Sequence, residues 1–263
     1  MRRMSERSRD TRIFLLSVGV AGAALLAYWA LKRSRLQAVQ NIAALQTNPA
    51  LQALGYGFDS QLVLRCLETG ESFKFKNQSH YDLVAAALAE FVQEKLQSDF
   101  GLLKVFLPLD GDLKEEKQIP IYASPSLDAD VLFVLIQGSG KVRPGQWSRA
   151  LCINQNLHVG TIFPYLREIY KRRGSVLVLN PNQAHNALKE HVDCCATPET
   201  HTLYVYDKLI RPCRAKKIVI IAHSYGGCCT FHLLQKRAHE SELTDRLAAI
   251  AFTDSVHNVI SPD

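Results

Sequence analysis

Hydrophobic residues divide the chain into two regions with different patterns. From residue 131 onward, short apolar runs alternate with segments that have helical spacing. These runs are continuous, as in strands that are buried on both faces of a parallel sheet. The predicted strands of this region are 131–136, 175–180, 217–222 and 247–252, and the predicted helices lie near 160–173, 199–213 and 226–239.

The region before residue 131 has shorter and more varied elements. Two β-prone runs within 61–76 flank a Glu-Thr-Gly-Glu turn and predict a hairpin. Helical spacing of apolar residues predicts a helix over 81–96, and two strands follow at 102–107 and 118–122. The whole pattern predicts an α/β fold, with a mostly parallel sheet that carries helices on both faces.

The amino-terminal part contains an apolar segment, residues 13–31, that has no charged residue and basic residues on both sides. Its length is just sufficient to span the hydrocarbon core of a bilayer as a helix. We therefore predict a transmembrane anchor at 13–31, preceded by a basic flank (1–12) and followed by a linker (32–55) and a domain (56–263). A cleaved signal peptide is the alternative.

This anchor predicts a single-pass membrane protein of the endoplasmic reticulum or of mitochondria. Gly19 and Ala23 form a pair of small residues that would allow a homodimer through the anchor. The orientation of the domain across the membrane is left open by the basic residues on the two sides.

The net charge of +6 is concentrated in the first 36 residues, which hold eight of the 31 basic and two of the 25 acidic side chains. The other residues contain 23 of each and are neutral. A strong nucleic-acid surface is therefore not predicted. The seven cysteines lack an even, spaced framework, which favours reduced thiols.

The stretch 222-AHSYG-226 has a serine between small residues, after a predicted strand and before a predicted helix. This arrangement predicts a nucleophile elbow, the tight turn that exposes a reactive serine, here Ser224. Backbone N–H groups near Tyr225 would then contribute to an oxyanion hole, a set of donors that stabilises negative charge on a reacting oxygen. An ordinary glycine-rich turn is the alternative.

Two other strand ends supply companion residues. Gly138 and Ser139, in the loop after 131–136, are candidates for the oxyanion hole, and a plain glycine turn is the alternative. Asp254 follows the strand 247–252 and is a candidate triad acid or a cap residue. His257 is a candidate base, although a triad histidine normally follows later in the chain.

Histidine and cysteine residues cluster between residues 185 and 201, but their spacing fits no common zinc motif. We therefore predict no metal site and no cofactor. The cluster consists of His185, His191, Cys194, Cys195 and His201.

Four segments, each at the end of a predicted strand, resemble the Arb domain (argonaute-binding protein two) family. They are 134-VLIQGSGKVRPGQWSRALCINQNLHVGTIFPYL-166, 177-LVLNPN-182, 221-IAHSYGG-227 and 250-IAFTDSVHNV-259. The likeness is greatest to the animal cotranscriptional regulators that carry this domain. It implies an α/β-hydrolase-like fold, in which Ser224, Asp254 and His257 match the elbow serine, the late aspartate and the histidine of the family.

The resemblance also implies a function. Members of this family are associated with argonaute-dependent small-RNA (siRNA) silencing, heterochromatin and co-transcriptional splicing control in the nucleus. We therefore expect a hydrolase-like, non-catalytic scaffold whose partners are argonaute proteins or splicing factors. The alternatives are a membrane-anchored serine esterase or peptidase that uses Ser224, and a lumenal binding module. Because family members extend past the Asp-Ser-Val-His-Asn motif, we expect the domain to continue beyond residue 263.

Overall fold

A six-stranded sheet and a separate two-stranded sheet form the framework of the protein in a computed structural model, which describes residues 45–109 and 111–256. The strands are β1 (Tyr56–Phe58), β2 (Leu64–Cys66), β3 (Leu103–Leu107), β4 (Ile119–Ala123), β5 (Val131–Ile136), β6 (Ser175–Val178), β7 (Lys217–His223) and β8 (Leu247–Thr253).

The larger sheet has the strand order β3-β4-β6-β5-β7-β8. Its pairs β3/β4 and β4/β6 are antiparallel, whereas β6/β5, β5/β7 and β7/β8 are parallel. The sheet is therefore mostly parallel, which confirms the α/β prediction. The four continuous apolar runs of the sequence are its four parallel strands. β5, β6 and β7 are largely buried, as expected for strands covered on both faces, whereas β8 at the edge is largely exposed.

Helices cover both faces of this sheet. They are α1 (Pro49–Ala53), α2 (Gln78–Ser98), α3 (Arg149–Asn154), α4 (Leu157–Gly160), α5 (Phe163–Lys171), α6 (Pro198–Val205), α7 (Gly226–Arg237) and α8 (Ser241–Thr244). A π-helical turn, Tyr206–Ile210, extends α6. Short 3₁₀ turns lie at Glu115–Lys117 and Asp193–Cys195.

Successive strand residues point to opposite faces and build two separate cores. On β5, Leu135 packs with residues of α2 and α5, whereas Val134 packs with residues of α6 and α7. Both side chains are buried. The alternation therefore fixes which side chains at the strand ends lie on the same face of the sheet.

The predicted membrane helix requires a correction. No helix within residues 45–109 and 111–256 is long and apolar enough to cross a membrane. The predicted anchor itself, residues 13–31, lies outside the described residues, together with any dimer contact through it. The fold class is therefore α/β without a transmembrane helix in this part of the chain. The prediction of a single-pass membrane protein is corrected to this statement, because the described residues contain no membrane-spanning helix.

The amino-terminal end of the described chain differs from the hairpin and linker predicted from the sequence. Strand β2 pairs with β1 instead of forming the predicted hairpin within 61–76, of which a single bridge, Arg65 to Ser72, is present. Residues 46–55, part of the predicted linker, pack on the domain through α1, whose Leu51 is fully buried. The strand β1 has only three residues, which is too short for a distinct pattern in the sequence.

Candidate functional site

The turn between β7 and α7 has the geometry of a nucleophile elbow. Ser224 has a backbone φ of +50°, which is uncommon for a residue other than glycine. Such a conformation costs about 1–3 kcal/mol and persists only where the surroundings impose it. Its carbonyl oxygen accepts hydrogen bonds from the N–H groups of Gly227, at 3.1 Å, and Val256, at 3.0 Å. The turn is thus held from the helix and from the segment after β8.

The two glycines that follow the serine are required by close contacts. A Cβ atom added to Gly226 would collide with the carbonyl oxygen of Ile136 at the end of β5. A Cβ atom added to Gly227 would collide with the hydroxyl of Ser255. These contacts explain why the elbow needs small residues after the serine, as its sequence pattern indicates.

The loop after β5 lies directly against Ser224. A Cβ atom added to Gly138 would be 2.7 Å from the Cβ of Ser224 and 3.1 Å from its hydroxyl oxygen. The side-chain amide of Asn182 donates to the carbonyl oxygen of Gly138 at 2.6 Å and holds the loop there. Asn182 follows β6, so three strand ends meet at the serine. In the sequence, only the position of Asn182 in the motif 177-LVLNPN-182 pointed to its contact with the loop of Gly138.

The other two predicted oxyanion residues have different surroundings. Ser139 is exposed and follows Gly138 in the same loop. The backbone N–H of Tyr225 donates no backbone hydrogen bond to another described residue, as an oxyanion donor requires. The Tyr225 hydroxyl donates to the carboxylate of Glu199 in α6 at 2.7 Å. The pKa of Tyr225 is raised to about 12, chiefly by this hydrogen bond, so the phenol is a neutral donor.

The predicted acid and base are not assembled with the serine in the described part of the chain. Asp254 is exposed, has a backbone φ of +46°, and has no side-chain hydrogen bond to another residue within 45–256. His257 lies outside the described residues. His223 is held elsewhere: its Nδ1 lies 3.1 Å from the Thr253 hydroxyl, and its ring packs on Trp147 with centroids 5.5 Å apart.

The loop after β5 also contains buried donors without an acceptor. The side-chain Nε2 atoms of Gln137 and Gln146 and the Nε1 atom of Trp147 have no hydrogen-bond partner among the described residues. Each unpaired buried donor costs about 1–3 kcal/mol. Such groups are rare in folded proteins and need a structural or functional explanation. Their position beside the elbow makes this loop the least satisfied polar region near the site.

A buried histidine supports the site from the third strand end. His201 of α6 is fully buried, and its Nε2 accepts a hydrogen bond from the backbone N–H of Asn180 at 3.0 Å. Burial lowers the pKa of His201 from 6.5 to about 3. The imidazole is therefore neutral. Because Asn180 is two residues before Asn182, this hydrogen bond holds the segment that clamps Gly138.

The geometry defines an α/β protein with a hydrolase-like nucleophile elbow, and comparison with known proteins identifies its family. The Arb2 domain matches residues 47–190 and 184–261. The chain belongs to the Arb2 domain family, as its motifs predict.

Three relatives illustrate the family. The cotranscriptional regulator ARB2A homolog of Dictyostelium discoideum is 34% identical over 80% of this chain and 62% of its own. The cotranscriptional regulator ARB2A of Homo sapiens is 29% identical over 80% of this chain and 64% of its own. A FAM172 family protein homolog of Caenorhabditis elegans is 36% identical over 78% and 65%. The chain thus spans somewhat less than two thirds of the length of these relatives.

Solved structures show weaker similarity. The histone deacetylase Clr3 has a TM-score of 0.44 and 18% identity over 69% of this chain and 28% of its own. The esterase LipW of Mycobacterium marinum has a TM-score of 0.37 and 14% identity over 82% and 60%. Similarity at this level carries no information about the activity of this chain.

We predict that Gly138→Ala destabilises the protein by about 1–3 kcal/mol, because the added methyl group would overlap the side chain of Ser224. Urea unfolding of the purified chain measures this loss. Gly111→Ala is the matched control, because a Cβ atom there has no neighbour within 4 Å. Equal stability of the two variants would contradict the close contact between the loop and the elbow.

A second prediction concerns acid. Below pH 6.5 the unfolded chain protonates His201 and the folded chain does not, so stability falls between pH 6.5 and about pH 3. The slope from this one group is up to about 1.4 kcal/mol per pH unit. His201→Gln keeps a neutral side chain with a possible acceptor for Asn180.

Unfolding free energies of the two proteins at several pH values isolate the effect of this histidine, because the carboxylates are common to both. We expect wild type to lose stability relative to His201→Gln as the pH falls. A constant difference from pH 7 to pH 4 would show that His201 is not held neutral.

Proposed function

We propose that this protein is a co-transcriptional regulator that acts as a hydrolase-like, non-catalytic protein-binding scaffold. Its membership of the Arb2 domain family and its similarity to proteins named cotranscriptional regulators support the regulatory role. The observation that supports action through protein contacts is the exposed apolar strand at the edge of the sheet.

That strand is β8. It pairs on one side with β7 and has no strand on its other side within the described chain. Ala248, Ala249 and Ala251 are exposed although the strand is apolar from Leu247 to Phe252. An open edge presents unpaired backbone N–H and C=O groups and can accept a strand or a loop from another protein. This surface is thus suited to a protein partner.

The charge distribution favours a protein partner over a nucleic acid. Outside the first 36 residues the basic and acidic side chains are equal in number, so the domain has no excess positive charge to bind phosphates. The partner classes implied by the family resemblance, argonaute proteins and splicing factors, belong to this proposal. So do the association with siRNA-linked heterochromatin and a nuclear site of action.

A co-transcriptional splicing reporter, in cells that lack the endogenous protein, tests the scaffold. We expect Ser224→Ala to restore the reporter as well as wild type does, because no step uses the hydroxyl. We expect Ala251→Lys to fail, because a charged side chain on an edge strand opposes pairing. Val159→Lys is the control for an added lysine, since Val159 is also exposed. Failure of Ser224→Ala alone, or rescue by Ala251→Lys, would contradict the proposal.

A serine hydrolase is the second candidate, and the elbow is the observation that favours it. Such enzymes use a strained serine backbone, as at Ser224, and an N–H such as that of Tyr225, which donates to no backbone oxygen within the described residues. A base for Ser224 would have to come from outside the described residues. A fluorophosphonate probe on the folded full chain, with Ser224→Ala as the control, tests this candidate. Labelling that depends on Ser224 supports hydrolysis, and no labelling under several conditions rejects it.

A further inference from the structure

The adjacent cysteines Cys194 and Cys195 lie in the 3₁₀ turn Asp193–Cys195, just before α6 and away from the elbow. Their Sγ atoms are 3.7 Å apart, within hydrogen-bond distance for sulfur. Cys195 is buried, whereas Cys194 is partly exposed. The pair therefore combines an accessible thiol with a buried one directly behind it.

The hydrogen-bond direction in this pair follows from His201. Since Nε2 of His201 accepts the N–H of Asn180, and since burial keeps the ring neutral, the single ring hydrogen must be on Nδ1. This Nδ1 lies 3.3 Å from the Sγ of Cys195. His201 therefore donates to Cys195, and the thiol hydrogen of Cys195 is left to point toward Cys194.

Donation from Cys195 stabilises the thiolate of Cys194. This hydrogen bond is the main cause that lowers the pKa of Cys194 below its usual value. The same bond and burial raise the pKa of Cys195. A thiolate is the nucleophilic form of cysteine, so Cys194 is the member of the pair that attacks.

The accessible side of Cys194 faces a cavity of about 390 Å³. The cavity is open to solvent and large enough for a small electrophile. Its charged and titratable lining residues besides Cys194 are Lys117, Glu190, His191 and Asp193. A small reactant can thus reach the sulfur of Cys194 without a rearrangement of the core.

We propose that Cys194 and Cys195 form a peroxide-sensitive dithiol, a modification site that includes no elbow residue and does not depend on the scaffold role. The Cys194 thiolate attacks one oxygen of a hydroperoxide. The S–O bond forms, the O–O bond breaks, and the leaving oxygen takes a proton to become water or an alcohol. The Cys195 thiol then attacks the sulfenic acid of Cys194, an S–S bond forms, and water leaves. The two thiols together lose two electrons, and the peroxide accepts them.

The resulting disulfide would be strained and therefore reversible. Adjacent Cα atoms are about 3.8 Å apart, shorter than the roughly 4.4–6.8 Å that disulfides usually span. Strained disulfides have higher reduction potentials and are reduced readily by cellular thiols. The pair is thus suited to a transient modification and not to a permanent cross-link.

A second adjacent pair in the same protein supplies a matched control. Cys228 is partly exposed and Cys229 is buried, as in the first pair. The Sγ of Cys228, however, donates to the carbonyl oxygen of Val256 at 3.2 Å, and no hydrogen bond joins its sulfur to that of Cys229 in the described structure. Burial raises the pKa of Cys229 to about 12. Cys228 and Cys229 are thus also adjacent in the sequence, but no histidine donates a hydrogen bond to the buried cysteine among the described residues, as His201 does to Cys195.

Limited oxidation of the folded full chain tests the proposal. The reduced protein is treated with about one equivalent of hydrogen peroxide, its free thiols are blocked with N-ethylmaleimide, and it is digested with trypsin. Residues 190–208 then carry only the first pair, and residues 218–236 only the second. We expect the disulfide in 190–208 to exceed that in 218–236 about tenfold and to disappear with dithiothreitol.

Equal oxidation of the two pairs, or oxidation only after unfolding, would overturn the proposal, and this comparison needs no variant. Cys195→Ser adds a second measurement, because it removes the attacking thiol but keeps a hydroxyl donor. We expect its Cys194 to stop at the sulfenic acid, which dimedone traps. Absence of the dimedone adduct in a folded Cys195→Ser protein would show that Cys194 is not the thiol that reacts first.

Discussion

The contact between Ser224 and the end of β5 is the constraint on which the site depends. The turn after β7 is so close to that strand end that a methyl group on Gly138 or Gly226 would overlap its neighbours. The serine backbone at this point is in the left-handed region. Three strand ends are fixed around this point, because Asn182 binds the loop of Gly138 and Val256 binds the carbonyl of Ser224.

This constraint separates the architecture of a hydrolase from its chemistry. Backbone packing alone produces the elbow and leaves the N–H of Tyr225 without a backbone acceptor among the described residues. A protein family can retain such packing because it stabilises the fold. A triad needs, in addition, an acid and a base that meet the hydroxyl. Asp254 is exposed in a turn, and the described residues bring no histidine to Ser224. The regulator names of the relatives fit the proposed scaffold, in which β8 rather than the hydroxyl contacts the partner.

Much of the fold was predictable from local patterns. The parallel strands β5, β6, β7 and β8 have continuous apolar runs, and the elbow has small residues at fixed spacing, so both are visible in the sequence. Interactions between distant residues were not. Two examples are the hydrogen bond from Asn180 to His201 and the pairing of β1 with β2. Both depend on tertiary packing, which local sequence patterns do not indicate. The membrane assignment of 13–31 rested on hydropathy and flanking basic residues, and no membrane-spanning helix is present in the described residues.

The histidine that supports the elbow also serves the dithiol, which links the two regions through one side chain. His201 accepts from Asn180 with one nitrogen and donates to Cys195 with the other. Of the histidine and cysteine cluster, Cys194, Cys195 and His201 are connected by hydrogen-bond contacts. Oxidation at Cys194 would therefore occur close to the support of the site without touching the serine.

The most direct test of the elbow is the unfolding free energy of Ser224→Gly compared with that of Ser224→Ala. Glycine adopts a positive φ without steric cost, whereas alanine does not. We predict that the glycine variant is more stable than the alanine variant by about 1 kcal/mol, although glycine usually destabilises a folded chain relative to alanine. An alanine variant of equal or greater stability would contradict the strained elbow, because it would mean that residue 224 does not have a left-handed backbone.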